Sequence, residues 1–298
     1  MYDIIIIGAG PSGLTAAIYS SIANKKILIL EKDTYGGQIL KANSIKNYPG
    51  FNNITGYEFA EKLYNQVKKF NPDIIFEEVI KIKDNKNFKE VITKQSSYKA
   101  KSIIIATGAE NRKLNLDNEK KFLGKGISYC ATCDAVFYKN KIVAVYGGGN
   151  AAISDALFLS DIAKEVYLIY RKDSFKVDSI DLKKLKKKSN TKILLNSVIT
   201  SLNGNDYLKS ISINNDETIT IDGLFIDIGH IPVSSICDNL ININDNGYII
   251  SSENCKTNVE GIFVSGDVRS KDIRQLTTAC SDGTNAAINA SIYLKKID

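Results

Sequence analysis

Two glycine-rich turns, each set between an apolar strand and a helix, restrict this chain to architectures that contain a dinucleotide-binding fold twice. The first is Gly8-x-Gly10-x-x-Gly13: residues 3–7 are apolar, residues 13–23 carry helical spacing, and residues 26–30 are apolar again. The second is Gly147-x-Gly149-x-x-Ala152, with strand-like residues 141–146, helical residues 151–162 and strand-like residues 165–170. Strand, glycine turn, helix and strand make a βαβ unit, whose small residues let the backbone approach a pyrophosphate at the positive end of the helix. Glu31 ends the second strand of the first unit, where an acid accepts from a ribose hydroxyl. Strand-like runs at residues 102–106, 223–228 and 261–264 extend these units into doubly wound sheets. The expected fold is therefore α/β, with two Rossmann-like domains.

Bulk properties narrow the function. A chain of 298 residues has room for two domains of about 100 to 200 residues each. No apolar run approaches the ~18 residues of a membrane span, and no basic, apolar, small-residue leader precedes the first strand. A cytoplasmic location without membrane contact is expected. The cysteine count, five, is odd, and only Cys130 and Cys133 lie close together, unlike a secreted disulfide framework. A zinc site needs four ligands, and Cys237, Cys255, Cys280 and His230 are too scattered to supply the rest, so no metal is expected. The net charge of +6 comes mainly from lysine, which makes Arg112, Arg171, Arg269 and Arg274 the places where a planar fork of donors is available. The run 183–188 is read as a solvated helix face, since it lacks the aromatic and arginine groups of a nucleic-acid reader.

The remaining chemistry lies in Cys130-Ala131-Thr132-Cys133, which follows a turn-rich stretch containing Gly124 and Gly126 and precedes the second βαβ unit. Two thiols at this spacing close a small disulfide, and a lowered pKa on one supplies the thiolate that exchange requires. Asp134 either passes a proton to a leaving thiolate or accepts backbone bonds at a turn.

Several segments, in order, resemble the motifs of low-molecular-weight FAD-dependent thioredoxin reductases. They are Gly8-Ala9-Gly10-Pro11-Ser12-Gly13, Gly36-Gly37-Gln38, Asn47-Tyr48-Pro49-Gly50, Ala106-Thr107-Gly108, Ser128-Tyr129-Cys130-Ala131-Thr132-Cys133-Asp134 and Val264-Ser265-Gly266-Asp267. The resemblance covers nearly the whole chain. It implies that FAD is held by those glycine-turn residues with Glu31, Lys32, Gly36, Gly37, Gln38, Asn47, Ala106, Thr107, Gly108 and Gly266. Asp267 would bond the ribityl chain, and Arg274-Gln275-Leu276 would cover the flavin. The residues alone leave Asp267 a second role as a helix N-cap. Because the last flavin motifs lie near the C-terminus, the FAD domain is expected to be discontinuous, 1–113 and 245–298, with 114–244 inserted and carrying the dithiol. The implied reaction passes two electrons from reduced flavin to the disulfide, with Cys133 nearer the flavin, and from the dithiol to thioredoxin or a thioredoxin-like protein. The resemblance also implies domain rotation between the two exchanges and a homodimer.

The electron donor stays open. Arg171-Lys172 stands where an NAD-binding fold has an acid, and basic groups suit the 2′-phosphate of NADPH. Candidate NADPH contacts are Gly147, Gly149, Ala152, Arg171, Lys172 and Lys176. The family's His-Arg-Arg-x-x-x-Arg motif, however, reads Tyr170-Arg171-Lys172-Asp173-Ser174-Phe175-Lys176, and Ser154 replaces a frequent glutamate. This departure resembles the clostridial-type flavin thioredoxin reductases that draw on ferredoxin, an acidic protein toward which a basic chain is steered. Rival readings are a dithiol oxidase that passes electrons to oxygen and a non-catalytic, redox-sensing flavoprotein. His230, in Gly229-His230-Ile231-Pro232, is read as a packed loop residue rather than a base, and Cys237, Cys255 and Cys280 as small buried residues.

Overall fold

The structure, a computed structural model, describes every residue except 43, 176–178, 216, 238 and 298. The NADPH candidate Lys176 therefore lies outside the described residues. The chain forms two compact units, Met1–Glu110 with Ile231–Asp298, and Asn111–His230.

The first unit is built on a seven-stranded sheet. Its parallel part places Tyr2–Ile7 between Ile27–Glu31 and Ser97–Ile105, with Asp73–Phe76 outside and Ile262–Val264 against Ser97–Ile105. Lys89–Thr93 and Val79–Asp84 continue it antiparallel. Ile4, Ile5 and Ile6 are fully buried, as a strand covered on both faces requires, and β-branched side chains suit that pleated surface. The helix Pro11–Ile22 begins with proline at its first turn, where the missing N–H has no helical partner in any case. Ala16, Ala17, Ala286, Ala287 and Ala290 let this helix and Leu276–Ile297 lie close over the sheet in one apolar cluster.

The second unit has a five-stranded parallel sheet in the order Thr191–Leu194, Glu165–Ile169, Ile142–Tyr146, Gly223–Ile226 and Ile127–Ser128. A three-stranded antiparallel sheet, Ile199–Gly204, Leu208–Ile213 and Glu217–Thr220, was not anticipated from the sequence. The helix Asn150–Ser160 follows the second glycine turn. Around Ile180–Leu185, Lys183, Lys184, Lys186 and Lys187 are exposed and Lys188 pairs with Asp161 at 2.5 Å.

The observed division differs from the expected one. Residues 231–244, expected in the inserted unit, belong to the first, because Ile236, Cys237 and Ile241 fill its core beside Ile103, Ile105 and Val264. At the other crossing the division falls after Glu110 rather than after residue 113. The crossings are the short strands Ala109–Asn111 and His230–Pro232, which pair as a ribbon. His230 thus lies in a strand rather than a loop.

Candidate functional site

Strand register brings three distant motifs together at the carboxyl edge of the first sheet. Ile7 is level with Ile105, and Ile105 with Val264, so Gly8, Ala106 and Ser265 emerge side by side. Backbone bonds from Ala106 N to Ile7 O and from Ser265 N to Ile105 O, both 2.8 Å, fix that alignment. The order of strands reverses here, and such a switch point is where doubly wound sheets bind ligands.

The cradle at this edge is open where a pyrophosphate would lie. Gly10 caps the helix Pro11–Ile22 without any side-chain cap or first-turn acid, and a Cβ on Gly10 or Gly108 would meet nothing within 4 Å. Elsewhere the glycines are demanded by packing: a Cβ on Gly13 would lie 1.9 Å from Gly8 O. Glu31 Oε2 accepts from Ala9 N at 2.8 Å, which holds the carboxylate beside the turn. Gly36 N donates to Ala9 O at 2.8 Å, bringing Gly37 to the same cradle, with Gln38 exposed next to it. Lys32 is exposed and reaches Glu110 at 3.5 Å. Thr107 Oγ1 donates to Val233 O at 2.5 Å, and Ser12 Oγ to Ser265 Oγ at 2.8 Å.

Asp267 lies in a 3₁₀ turn, Gly266–Val268, and not at a helix cap; the long helix begins only at Leu276. Its Oδ1 is buried, makes no hydrogen bond among the described residues, and lies 3.3 Å from the Lys271 ammonium as an ion pair. The Asp267 side chain as a whole is 37% exposed, so its carboxylate keeps the capacity to accept from a ligand hydroxyl. Arg274 stacks on the Tyr248 ring at 4.0 Å, and Gln275 Oε1 accepts from Asn47 Nδ2 at 3.2 Å, which ties two of the flavin motifs together. The open glycine edge, the acid at Glu31 and the part-exposed Asp267 carboxylate fit a dinucleotide carrying a polyol.

In the second unit, Tyr146 is level with Ile169 and Ile226, which sets Gly147 at that sheet's carboxyl edge. Gly149 caps the helix Asn150–Ser160 with no side-chain cap and open space at its Cβ position. Tyr170 lies over Gly148 and stacks on Phe175 at 5.2 Å, while Arg171 and Lys172 are exposed at the end of Glu165–Ile169. Ala152 is buried beneath the turn, and Ser154 donates to Asp181 at 2.7 Å. Burial and the nearby Asp227 carboxylate push Asp155 up to about 7. Burial raises Asp227 as well, opposed by His230.

The dithiol sits on the same sheet edge. Ile127–Ser128 pairs with Gly223–Ile226, so Tyr129 and Cys130 leave the sheet at its carboxyl end. Cys130 and Cys133 form a disulfide with Cα atoms 5.3 Å apart, both half-buried, Cys130 at the N-cap of the short helix Ala131–Asp134 and Cys133 within it. Ala131 and Ala135 anchor that helix in the core beside Ala152 and Ile153. Asp134 is bound by a residue the sequence did not single out: Ser128 Oγ donates to its Oδ2 at 2.7 Å and accepts from Cys130 N at 3.1 Å. Burial raises the Asp134 carboxyl, and the Ser128 bond partly opposes that. The signal available was a serine two positions before the first thiol. Tyr129 donates to Glu119, whose carboxylate also accepts from Leu114 N and Asn115 N at 3.1 and 2.9 Å. Of the remaining cysteines, Cys237 and Cys255 are buried as expected, and Cys280 is only half-buried, near Tyr48 and Thr15.

A disulfide at the ligand edge of one nucleotide-binding fold, in a chain whose other fold offers an open dinucleotide cradle, defines a flavin-type disulfide oxidoreductase. Residues 2–283 match the pyridine nucleotide-disulphide oxidoreductase family. The chain is 43% identical to a thioredoxin reductase of Mycoplasma genitalium, over 97% of its own length and 94% of that protein. The structure of thioredoxin reductase from Streptococcus pyogenes superposes with a TM-score of 0.93 at 37% identity, covering 99% of each chain. A ferredoxin-flavin thioredoxin reductase from Clostridium acetobutylicum is 30% identical with a TM-score of 0.55, over 99% of this chain and 98% of that one. The chain belongs to the pyridine nucleotide-disulphide oxidoreductase family, in its low-molecular-weight thioredoxin reductase branch. It is an FAD-dependent disulfide reductase.

Proposed function

We propose that the protein carries two electrons from NADPH through FAD to the Cys130–Cys133 disulfide, and from the resulting dithiol to thioredoxin or a thioredoxin-like protein. The observation that carries this reading is the placement of the dithiol and an open second glycine turn on one sheet edge. FAD would be held by Gly8, Gly10, Pro11, Ser12, Gly13, Glu31 and Asp267, with the segments at Gly36, Asn47, Ala106 and Arg274 around it; when bound, it supplies the electron pair. One thiolate of the reduced pair attacks the partner's disulfide, forming a mixed disulfide and releasing one partner thiolate. Asp134 gives that leaving thiolate its proton. The second enzyme thiol then attacks the mixed disulfide, which frees the reduced partner and restores Cys130–Cys133. Cytoplasmic location and a homodimer complete the proposal. No helix among the described residues is long and apolar enough to cross a membrane.

Support for NADPH comes from the uncapped N-terminus of Asn150–Ser160, the free space at Gly149, and the exposed Arg171 and Lys172 where an NAD site has an acid. Ferredoxin is the second reading, favoured by the loss of two arginines from the phosphate motif and the likeness to the Clostridium acetobutylicum enzyme. Anaerobic mixing separates them. With NADPH as donor, the flavin absorbance bleaches within the turnover time, and Arg171→Ala weakens NADPH by about tenfold through loss of one charge-assisted contact. A flavin that stays oxidised under NADPH and bleaches with reduced ferredoxin reverses the assignment.

Ser128 makes the acid role of Asp134 testable through pH. Exchange needs the protonated acid, so its rate falls as pH rises through the Asp134 pKa. Ser128 donates to the carboxylate and thereby favours its ionised form; Tyr138 is a nearby titratable group. Loss of that bond leaves the effect of burial unopposed, so Ser128→Ala moves the alkaline limb of the exchange rate to higher pH, and Ser128→Thr restores it. An unmoved limb in Ser128→Ala would remove the serine from the mechanism.

A further inference from the structure

A buried cluster of charges joins the loop ahead of the last helix to the helix itself. Asp282, in Leu276–Ile297, accepts from Gly266 N at 3.1 Å, from Arg269 Nε and Nη2 at 3.2 and 2.9 Å, and from Lys271 Nζ at 3.0 Å. The Arg269 and Asp282 side chains are each 3% exposed, and their forked pairing already balances one charge with another. Glu253, the further partner of Arg269, is 85% exposed and adds little.

Lys271 is thus a second buried cation, 5% exposed, and it needs a second anion. Asp267 supplies it, with Oδ1 at 3.3 Å from the ammonium. Thr278 Oγ1 at 3.4 Å is the other polar neighbour. One end of this bridge is fixed, because Asp282 also holds the Gly266 amide and so sets the turn that presents Asp267. The other end is Asp267 Oδ1, which makes no hydrogen bond among the described residues.

We infer that Lys271 is a positioning residue for the cofactor site: anchored on Asp282, its ammonium aims the Asp267 carboxylate at a hydroxyl of the flavin's polyol chain. This rests on the reading of Asp267 as a flavin ligand. Arg269 is engaged elsewhere: its guanidinium donates to Asp282 through Nε and Nη2 and to Glu253 through Nη2.

The test measures FAD release on dilution of the holoprotein, read as recovered flavin fluorescence, for Lys271→Met, Asp267→Asn and the double variant. Each single variant is expected to weaken FAD by about tenfold or more, and the double variant to be no weaker than Asp267→Asn, because residues acting through one contact are not additive. Wild-type affinity in Lys271→Met, or losses that multiply in the double variant, overturns the positioning role. Wild-type affinity in Asp267→Asn instead overturns the ligand reading beneath it. Should Lys271→Met not fold, Lys271→Gln, which keeps a donor for Asp282 while losing the charge, takes its place, and wild-type affinity there is equally fatal.

Discussion

Cys133→Ser abolishes reduction of a protein disulfide while leaving the flavin content of the protein unchanged. Serine cannot form the disulfide that stores the electron pair, and its hydroxyl is no substitute for a thiolate in exchange. The expected loss in turnover is at least about 10³-fold, the scale seen when a nucleophile is removed outright. No other thiol rescues it: burial pushes Cys237 up to about 11 and Cys255 up to about 12, and also raises Cys280. The proposed flavin residues all belong to Met1–Glu110 with Ile231–Asp298, and the dithiol belongs to Asn111–His230. Anaerobic dithionite titration gives a readout independent of donor and partner. The variant takes up two electrons fewer per chain than the wild type, with an unaltered oxidised flavin spectrum. Equal uptake in both, or turnover retained by the variant, would remove Cys133 from the electron path and favour a non-catalytic role for the pair.

What the sequence made legible was set by local pattern. Both glycine turns appear where a strand meets a helix, and the helices start at Pro11 and Asn150, slightly ahead of the expected starts, because the N-terminal turn carries no apolar periodicity to mark it. The dithiol was legible because two thiols at this spacing have few other uses. The division between units was not. Ile236, Cys237 and Ile241 are apolar residues that suit either core, and only the tertiary structure shows that they pack beneath Val264 and Ile103. The same limit hid the polar partners. Ser128 is six residues from Asp134, and Asp282 is sixteen from Gly266, distances at which no periodicity links a donor to its acceptor. Asp267 could be read as a cap from sequence because a glycine and an acid after a strand suit both roles. The 3₁₀ turn and the part-exposed carboxylate favour the other one.

Two glycines of the first turn separate folding from cofactor binding, and their alanine variants are expected to fail in different ways. A Cβ on Gly13 would sit 1.9 Å from Gly8 O, 3.0 Å from Gly8 C and 3.3 Å from Ala106 Cβ, all on the rigid strand ends. The helix cannot back away, because Leu14, Ala16 and Ala17 are fully buried against the sheet. Overpacking of this kind costs about 1–3 kcal/mol, so Gly13→Ala lowers the thermal midpoint of the apoprotein and is purified without flavin. Gly10 differs. Its φ of −74° and ψ of 179° are ordinary for alanine, and the added methyl would meet no protein atom within 4 Å. Gly10→Ala apoprotein therefore keeps its thermal midpoint, while the methyl occupies the space through which a pyrophosphate reaches the helix N-terminus. FAD affinity is expected to fall by about a hundredfold, roughly 2.7 kcal/mol of binding free energy. Apoprotein melting and FAD titration of the two variants, side by side, check this. A Gly10→Ala protein that binds FAD like the wild type would mean that the cofactor's phosphates do not lie over this turn, and the assignment of the first cradle would have to move.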